Sequence, residues 1–125
     1  MIVRVEELLS KKLSEIARYC DLHSSSTEVN VTGIVSQAQS VTTGDLFLGL
    51  AGTKTHGAKF AELAINNGAV AILTDVEGAS IISNSEVPVL VTSDPRLIAG
   101  NLTAWFYGFP LNSIFAIGIT GTNGK

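Results

Sequence analysis

Apolar and polar residues follow one another along the chain in two periods, one typical of amphipathic helices and one of buried strands. From residue 5 to residue 20 the apolar side chains recur every three or four positions, with charged residues between them, which predicts an amphipathic helix. The polar run over residues 23–27 predicts a loop, because small polar side chains compete for backbone hydrogen bonds. Val29, Val31, Ile34 and Val35 then predict a β-rich segment.

The middle of the chain alternates between strand-like and helix-like patterns. Residues 46–50 predict a strand that follows a polar turn, and residues 51–57, rich in Gly and Thr, predict a strand-to-helix loop. A helical pattern covers Phe60 to Ile65, and Gly68 stands where the chain leaves a helix with a positive φ. The continuous apolar run over residues 69–73 is typical of a strand covered on both faces.

The last third carries the clearest local signal. Residues 77–86 look like a mixed turn region, and residues 87–91 predict a short strand. Asp94 followed by Pro95 predicts a helix start, because a capping acid and a first-turn proline both deal with unpaired amide donors. That helix is expected to end near Gly108, before an apolar strand over residues 114–117. The pattern favours one α/β domain, a three-layer or two-layer sandwich with a mixed or mostly parallel sheet flanked by helices.

Composition and charge narrow the possible partners. Eleven acidic residues against eight Lys and Arg give a formal charge of -3, so the chain lacks the basic field that would attract nucleic acid or a membrane surface. Cys20 is the single cysteine, which excludes an intrachain disulfide, and with two histidines it cannot assemble a thiolate zinc site, so no metal site is expected. Acids stand where a secretory signal would be apolar. We therefore expect a cytoplasmic protein.

A phosphate-binding pattern follows the predicted C-terminal strand. Residues 118–125, G-I-T-G-T-N-G-K, resemble the phosphate-binding pattern G-x-x-x-x-G-K with one residue more between the first and last glycines. In that pattern glycines let backbone amides converge on phosphate oxygens and lysine adds a cation. The next residue would normally supply a hydroxyl for Mg²⁺. A glycine-rich surface tail could match by chance, but the preceding apolar strand is the context that the phosphate loop requires.

Several motifs resemble those of the Mur ligases, ATP-dependent amide-forming enzymes of peptidoglycan assembly. The terminal G-T-N-G-K is similar to their ATP loop, and T-G-D-L-F-L-G-L-A-G over residues 43–52 is similar to their P-G-D-L-F-V-A-L-x-G. The resemblance continues through T-H-G-A-K-F at 55–60, G-A-V-A-I at 68–72, V-P-V-L-V at 87–91 and D-P-R at 94–96. F-Y-G-F-P at 106–110 resembles the F-Y-G-x-P of the MurE branch, which the MurF branch usually lacks.

The resemblance implies a fragment of a ligase that adds a third amino acid, diaminopimelate or L-lysine, to UDP-N-acetylmuramoyl-L-alanyl-D-glutamate. Residues 1–111 would form the UDP-substrate-binding domain, and residues 112–125 would begin the ATP-binding domain, cut at the lysine of its loop. We expect a monomer that uses ATP and Mg²⁺ when whole and is inactive as this fragment. The expected phosphate-binding residues are Gly121, Thr122, Asn123, Gly124 and Lys125. The expected UDP-binding residues are Ser36, Ala38, Thr53, Lys54 and Thr55.

One departure from the family pattern keeps other functions open. The family usually has D-S-R where this chain has Gln37, Ala38 and Gln39, which removes an acid, a hydroxyl and a cation from the expected pocket. The alternatives are a stand-alone or diverged UDP-sugar-binding module without catalysis, and a MurF-type ligase. By the same pattern reasoning His56 is expected at a helix start or on the surface, and Arg96 as a solvated charge.

Overall fold

The computed structural model describes residues 10–22, 28–82 and 85–108. The elements are β1 (Lys11–Lys12), α1 (Leu13–Tyr19), β2 (Asn30–Val31), β3 (Gly33–Val35), β4 (Asp45–Gly49), α2 (Ala61–Asn66), β5 (Ala71–Thr74), α3 (Val76–Ile82), β6 (Val89–Val91) and α4 (Pro95–Tyr107). Two short 3₁₀ helices, Ala38–Ser40 and Gly57–Phe60, lie within the connections after β3 and β4.

Four strands form a parallel sheet in the order β3-β4-β5-β6. The register aligns Val35 with Phe47, Phe47 with Ile72, and Ile72 with Val89. Since neighbouring strands are also consecutive in the chain, connections of constant hand must all cross the same face of the sheet. The carboxyl ends of the strands share one edge, and the loops that leave it are therefore neighbours.

Both faces of the sheet are covered, so the domain has three layers. Along β4, Leu46 and Leu48 point into one apolar cluster and Phe47 into the other, as the two-residue period of a strand requires. The first cluster is closed by α1 and α4, and the second by the 3₁₀ helix Ala38–Ser40, α2 and α3. The predicted α/β class is confirmed, and the sheet is fully parallel.

The predicted start and end of α4 are confirmed in detail. Asp94 is the N-cap, and its Oδ1 accepts a hydrogen bond from the Leu97 N–H at 3.2 Å. Pro95 occupies the first turn, where a missing N–H costs nothing. The helix ends at Gly108, whose φ of 73° is left-handed. Gly68 likewise has a positive φ, 119°, directly after α2.

Two predicted elements are wrong. Lys11 and Lys12, assigned to the first helix, pair instead with Val31 and Asn30 as an antiparallel strand, and the helix begins at Leu13. The predicted turn region contains α3, because Ile82 packs on the second apolar cluster and Gly78 is buried within the helix. No helix among residues 10–22, 28–82 and 85–108 is long and apolar enough to cross a bilayer.

Tyr107 ties the end of α4 to the edge strand β3. Its hydroxyl oxygen accepts a hydrogen bond from the Ile34 N–H at 2.9 Å, which satisfies a donor on the strand. Burial raises the pKa of the Tyr107 hydroxyl, the bond from Ile34 lowers it, and the nearby Asp45 carboxylate raises it; the net pKa is raised. The F-Y-G segment thus has a structural role at the sheet edge.

We expect Tyr107→Phe to reduce the free energy of unfolding by about 1 kcal/mol at pH 7, since the Ile34 amide loses its acceptor. As pH rises past about 10, the Tyr107 hydroxyl ionises in the unfolded chain before it does in the folded chain, because its folded pKa is raised. The free energy of unfolding of the parent therefore falls above that pH, and the variant, which lacks the hydroxyl, does not share this loss. The difference in free energy of unfolding between the parent and Tyr107→Phe, measured by urea unfolding, should therefore narrow above about pH 10. Tyr19→Phe, which removes an exposed 3.3 Å bond to Asn101, is the control and should change little. A widening difference would contradict the assignment.

Candidate functional site

The loop over residues 51–56 leaves the carboxyl end of β4 as a turn with a closed base. Ala51 and His56 form an antiparallel bridge, and the Gly52 N–H donates to the Thr55 carbonyl at 3.0 Å. Just beyond the loop, the Gly57 N–H donates to the Leu50 carbonyl at 2.7 Å. The residues at the tip, Thr53, Lys54 and Thr55, are all exposed. The base is fixed while the tip presents two hydroxyls and a cation to solvent.

Close backbone approaches explain two of the glycines of this loop. A Cβ on Gly52 would lie 2.7 Å from the Thr55 carbonyl oxygen, and one on Gly57 would lie 2.9 Å from the Leu50 carbonyl oxygen. Both neighbours are backbone atoms that take part in the turn, so neither can move without opening it. The Gly-rich composition therefore serves the shape of the loop.

His56 is buried, with 6% of its surface exposed, and it uses both ring nitrogens. Nδ1 accepts the Ala58 N–H at 3.0 Å, which makes His56 the N-cap of the 3₁₀ helix Gly57–Phe60. Because Nδ1 accepts, the neutral ring carries its proton on Nε2, which donates to Asp75 Oδ1 at 2.9 Å. The prediction of a helix-start histidine is confirmed, and the Asp75 contact ties the loop after β4 to the end of β5.

The Asp75 carboxylate is held ionised by its neighbours. Burial raises the pKa of Asp75, but the hydrogen bonds from the Gly78 N–H at 2.7 Å and from His56 lower it by more. The net pKa therefore lies below the ordinary aspartate value. Ligand atoms of His56, Asp75 and Glu77 all lie within 4.8 Å of one another. In this arrangement the His56 nitrogens have no free lone pair for a cation, so the cluster acts as a hydrogen-bonded clamp.

Arg96 reaches the same loop from the first turn of α4. Its Nη2 donates to the Ala51 carbonyl at 2.6 Å. The side chain is exposed, as expected of a solvated charge, but that expectation missed its partner 45 positions away. In the sequence, the resemblance of D-P-R at 94–96 to a family motif singled out Arg96, but it did not indicate the partner. Loops from β4, β5 and β6 are thus joined at one edge of the sheet.

A cavity of about 260 Å³ lies beside the loop. It is lined by residues 51–56 together with Lys59, Glu77 and Ile81. Three of the five expected UDP-binding residues, Thr53, Lys54 and Thr55, therefore share one cavity.

The other two expected UDP-binding residues do not line that cavity. Ser36 follows β3, the strand next to β4, and is partly buried. Ala38 is 4% exposed and packs in the second apolar cluster, and its carbonyl accepts a bond from Asn67 Nδ2 at 3.0 Å. The methyl group of Ala38 thus belongs to the core, so any contact of this residue with a ligand would have to come from its backbone.

The expected phosphate loop lies outside the described residues. Gly121, Thr122, Asn123, Gly124 and Lys125, and with them the proposed domain boundary at residue 111, belong to residues 109–125. Their assignment remains a prediction from the sequence motif.

A model of the Mur ligase family, described as its catalytic domain, matches residues 30–107, more than half of the chain. The chain is 42% identical over 113 residues to the UDP-N-acetylmuramoyl-L-alanyl-D-glutamate--2,6-diaminopimelate ligase of Streptomyces avermitilis, an alignment that covers 90% of this chain and 22% of that protein. It is 36% identical over 125 residues to the UDP-N-acetylmuramyl-tripeptide synthetase of Leifsonia xyli, covering 98% of this chain and 24% of that protein. The chain spans under a quarter of the length of these curated relatives.

The fold also resembles that of solved structures. A crystal structure of MurF from Acinetobacter baumannii matches with a TM-score of 0.57 at 21% identity, covering 74% of this chain and 20% of that one. At this identity the likeness concerns the fold.

Proposed function

Because the chain belongs to the Mur ligase family, we propose that it is the amino-terminal part of a MurE-type ligase. The whole enzyme would join diaminopimelate or L-lysine to UDP-N-acetylmuramoyl-L-alanyl-D-glutamate in peptidoglycan synthesis. The names of the relatives that are 36–42% identical over at least 90% of this chain support that substrate class. F-Y-G-F-P at 106–110 supports the same branch.

The described residues would bind the uridine diphosphate end of the substrate. One observation carries this role: an exposed tip of two threonines and a lysine, on a loop with a fixed base, at the carboxyl edge of a parallel sheet. That edge is where open α/β sheets bind ligands. Lys54 would donate a charge-assisted hydrogen bond to the diphosphate, and Thr53 and Thr55 would add hydroxyls. Ser36, after the adjacent strand, and the backbone at Ala38 would extend the contact.

The remaining parts of the proposal concern the whole ligase. Residues 1–111 would form the UDP-substrate domain, and residues 112–125 would begin the ATP-binding domain with its loop over Gly121 to Lys125. Transfer of the γ-phosphoryl group of ATP to the substrate's glutamate carboxylate, with release of ADP, would give an acyl phosphate. Attack of the amine on its carbonyl carbon, with loss of phosphate and of a proton from the amine, would form the new amide bond.

We place the protein in the cytoplasm, as a monomer. Its single cysteine, Cys20, is a free thiol whose pKa is raised by burial to about 11. A free thiol suits a reducing compartment.

Titration calorimetry of the 125-residue chain tests the binding role. UDP-N-acetylmuramoyl-L-alanyl-D-glutamate should bind, and free UDP should compete for the same site. Absence of binding by a well-folded sample would contradict the proposal and favour a diverged module. A UDP-sugar that lacks the dipeptide should bind with nearly the same affinity, because the described residues would contact the uridine diphosphate end.

We expect Lys54→Ala to weaken that binding about tenfold, the size of one lost charge-assisted hydrogen bond. The loss should shrink as salt rises, because an exposed cation is screened. Lys12→Ala, which changes an exposed lysine on β1, is the matched control and should leave the Kd unchanged. Equal effects of the two variants would remove Lys54 from the site.

A further inference from the structure

Three connections at the carboxyl edge of the sheet are joined by side-chain hydrogen bonds. Arg96, after β6, holds the Ala51 carbonyl, and Asp75, after β5, holds His56 at the other end of the same loop. Ala51 and His56 also pair with each other. The loop over residues 51–56 is therefore held at one end by a group that follows β5, the strand next to β4, and at the other end by a group that follows β6, one strand further away.

This arrangement separates the groups that fix the loop from the groups that could touch a ligand. Thr53, Lys54 and Thr55 line the cavity of about 260 Å³, whereas Arg96 is not among its lining residues. The Nη2 of Arg96 is directed at a backbone carbonyl 2.6 Å away. A loop whose shape is already fixed loses less conformational freedom when a ligand binds, so it binds more tightly.

We propose that Arg96 is a positioning residue that holds the loop over residues 51–56 in the shape that binds the uridine diphosphate group, an inference that rests on the proposed function. Arg96 contributes by fixing Ala51. The ligand contacts are made by the tip. The guanidinium suits this task because it is always charged and donates from a rigid planar fork.

Arg96 is also the anchor that can be removed most cleanly. In the other anchor His56 is buried and caps a 3₁₀ helix, so its substitution would disturb the fold as well as the loop. Arg96 is exposed, and its backbone is held independently by the Asp94 cap and Pro95. A methionine there keeps an unbranched stem like that of arginine and removes the guanidinium donors.

The first measurement is calorimetric binding of UDP-N-acetylmuramoyl-L-alanyl-D-glutamate to the 125-residue chain. Arg96→Met should weaken binding about three- to tenfold while the urea midpoint of unfolding stays unchanged. Arg96→Lys, which restores a cation and a donor, should recover part of the affinity. Arg18→Met, the same substitution at an exposed arginine in the last turn of α1, is the control and should leave the Kd unchanged.

A double variant separates positioning from direct contact. If Arg96 acts through the loop, Arg96→Met should weaken binding by the same factor in the Lys54→Ala background as in the parent, because it lowers the fraction of chains whose loop already has the binding shape. A clearly smaller loss in that background would mean that Arg96 and Lys54 share a contact on the ligand and would overturn the inference. Unchanged affinity of Arg96→Met would also overturn it while leaving the proposed function intact.

Amide hydrogen exchange tests the anchor without any ligand. The Gly52 and Gly57 amides, which donate to Thr55 and Leu50, should exchange about tenfold faster in Arg96→Met, and the amides of β5 should not change. If the parent chain fails to bind the UDP compound, the proposed function fails, and this measurement still decides whether Arg96 fixes the loop. Unchanged protection of Gly52 and Gly57 would overturn the inference.

Discussion

Replacing Gly78 with alanine is expected to lower the free energy of unfolding by about 3 kcal/mol, although alanine is the better helix former. A Cβ at this position of α3 would overlap the hydroxyl oxygen of Thr74 and would lie 2.8 Å from Cε1 of His56. Thr74 is fully buried, and its hydroxyl donates to the Gly49 carbonyl at 2.7 Å. The methyl group can be admitted only if that hydroxyl moves and leaves the carbonyl unpaired.

The size of the effect on the free energy of unfolding follows from two losses and one gain. Overpacking a core costs about 1–3 kcal/mol. Leaving a buried polar group unpaired costs about 1–3 kcal/mol more. Replacing glycine in a helix returns about 1 kcal/mol. The losses exceed the gain, and they fall on the residues that hold the carboxyl ends of β4 and β5 together.

Urea unfolding of three variants checks this prediction. Ser80→Ala, on the exposed side of the same helix, should change the free energy of unfolding by less than about 0.5 kcal/mol. Thr74→Ala removes the overlapping oxygen, so the double variant Thr74→Ala with Gly78→Ala should be more stable than the sum of the single losses implies. A neutral or stabilising Gly78→Ala would mean that α3 does not pack against Thr74 and His56.

The sequence predicts best those elements whose signals are local. The start of α4 depends on Asp94 and Pro95, and its end depends on Gly108, so each boundary is encoded within three or four residues. The buried strands β4 and β5 are apolar on both faces, a pattern that requires a sheet covered on both sides. These elements and the α/β class follow from the sequence for that reason.

The errors occur where tertiary contacts overrule the local pattern. Gly78 reads as a turn residue, but its missing Cβ is what lets α3 lie against Thr74. Lys11 and Lys12 fit a helical pattern, but their backbone pairs with β2. The hydrogen bonds that fix the loop after β4 could not be predicted from local pattern either, since Asp75 lies 19 residues from His56 and Arg96 lies 45 residues from Ala51. Strand order brings these residues together, and no local pattern states it.

The second large effect is expected at Phe47, which lies at the centre of β4 and is 1% exposed. Phe47→Ala should lower the free energy of unfolding by about 3–5 kcal/mol, because it removes a buried ring and leaves a cavity between the sheet and α2. That is a large part of the about 5–15 kcal/mol that stabilises a typical domain. Phe47→Leu, which leaves a smaller cavity, should cost less.

Phe60→Ala is the matched control, since the same ring is removed from a side chain that is 47% exposed at the end of a 3₁₀ helix. It should cost well under half as much in urea unfolding. A loss at Phe47 as small as the one expected at Phe60 would place Phe47 on the surface, which a one-residue shift in the register of β4 would produce.

Comparing the single variants Phe47→Ala and Leu46→Ala tests whether both faces of the sheet are covered. Leu46 is fully buried in the cluster closed by α1 and α4, while Phe47 belongs to the cluster closed by α2 and α3. Leu46→Ala should therefore also cost about 2–5 kcal/mol in urea unfolding, because its side chain is buried on the face of the sheet opposite to Phe47. In a two-layer domain one of the two residues would face solvent, and its substitution would be nearly neutral. Two large losses, each measured in a single variant, would require the three-layer packing that fixes the end of β4 and the loop after it.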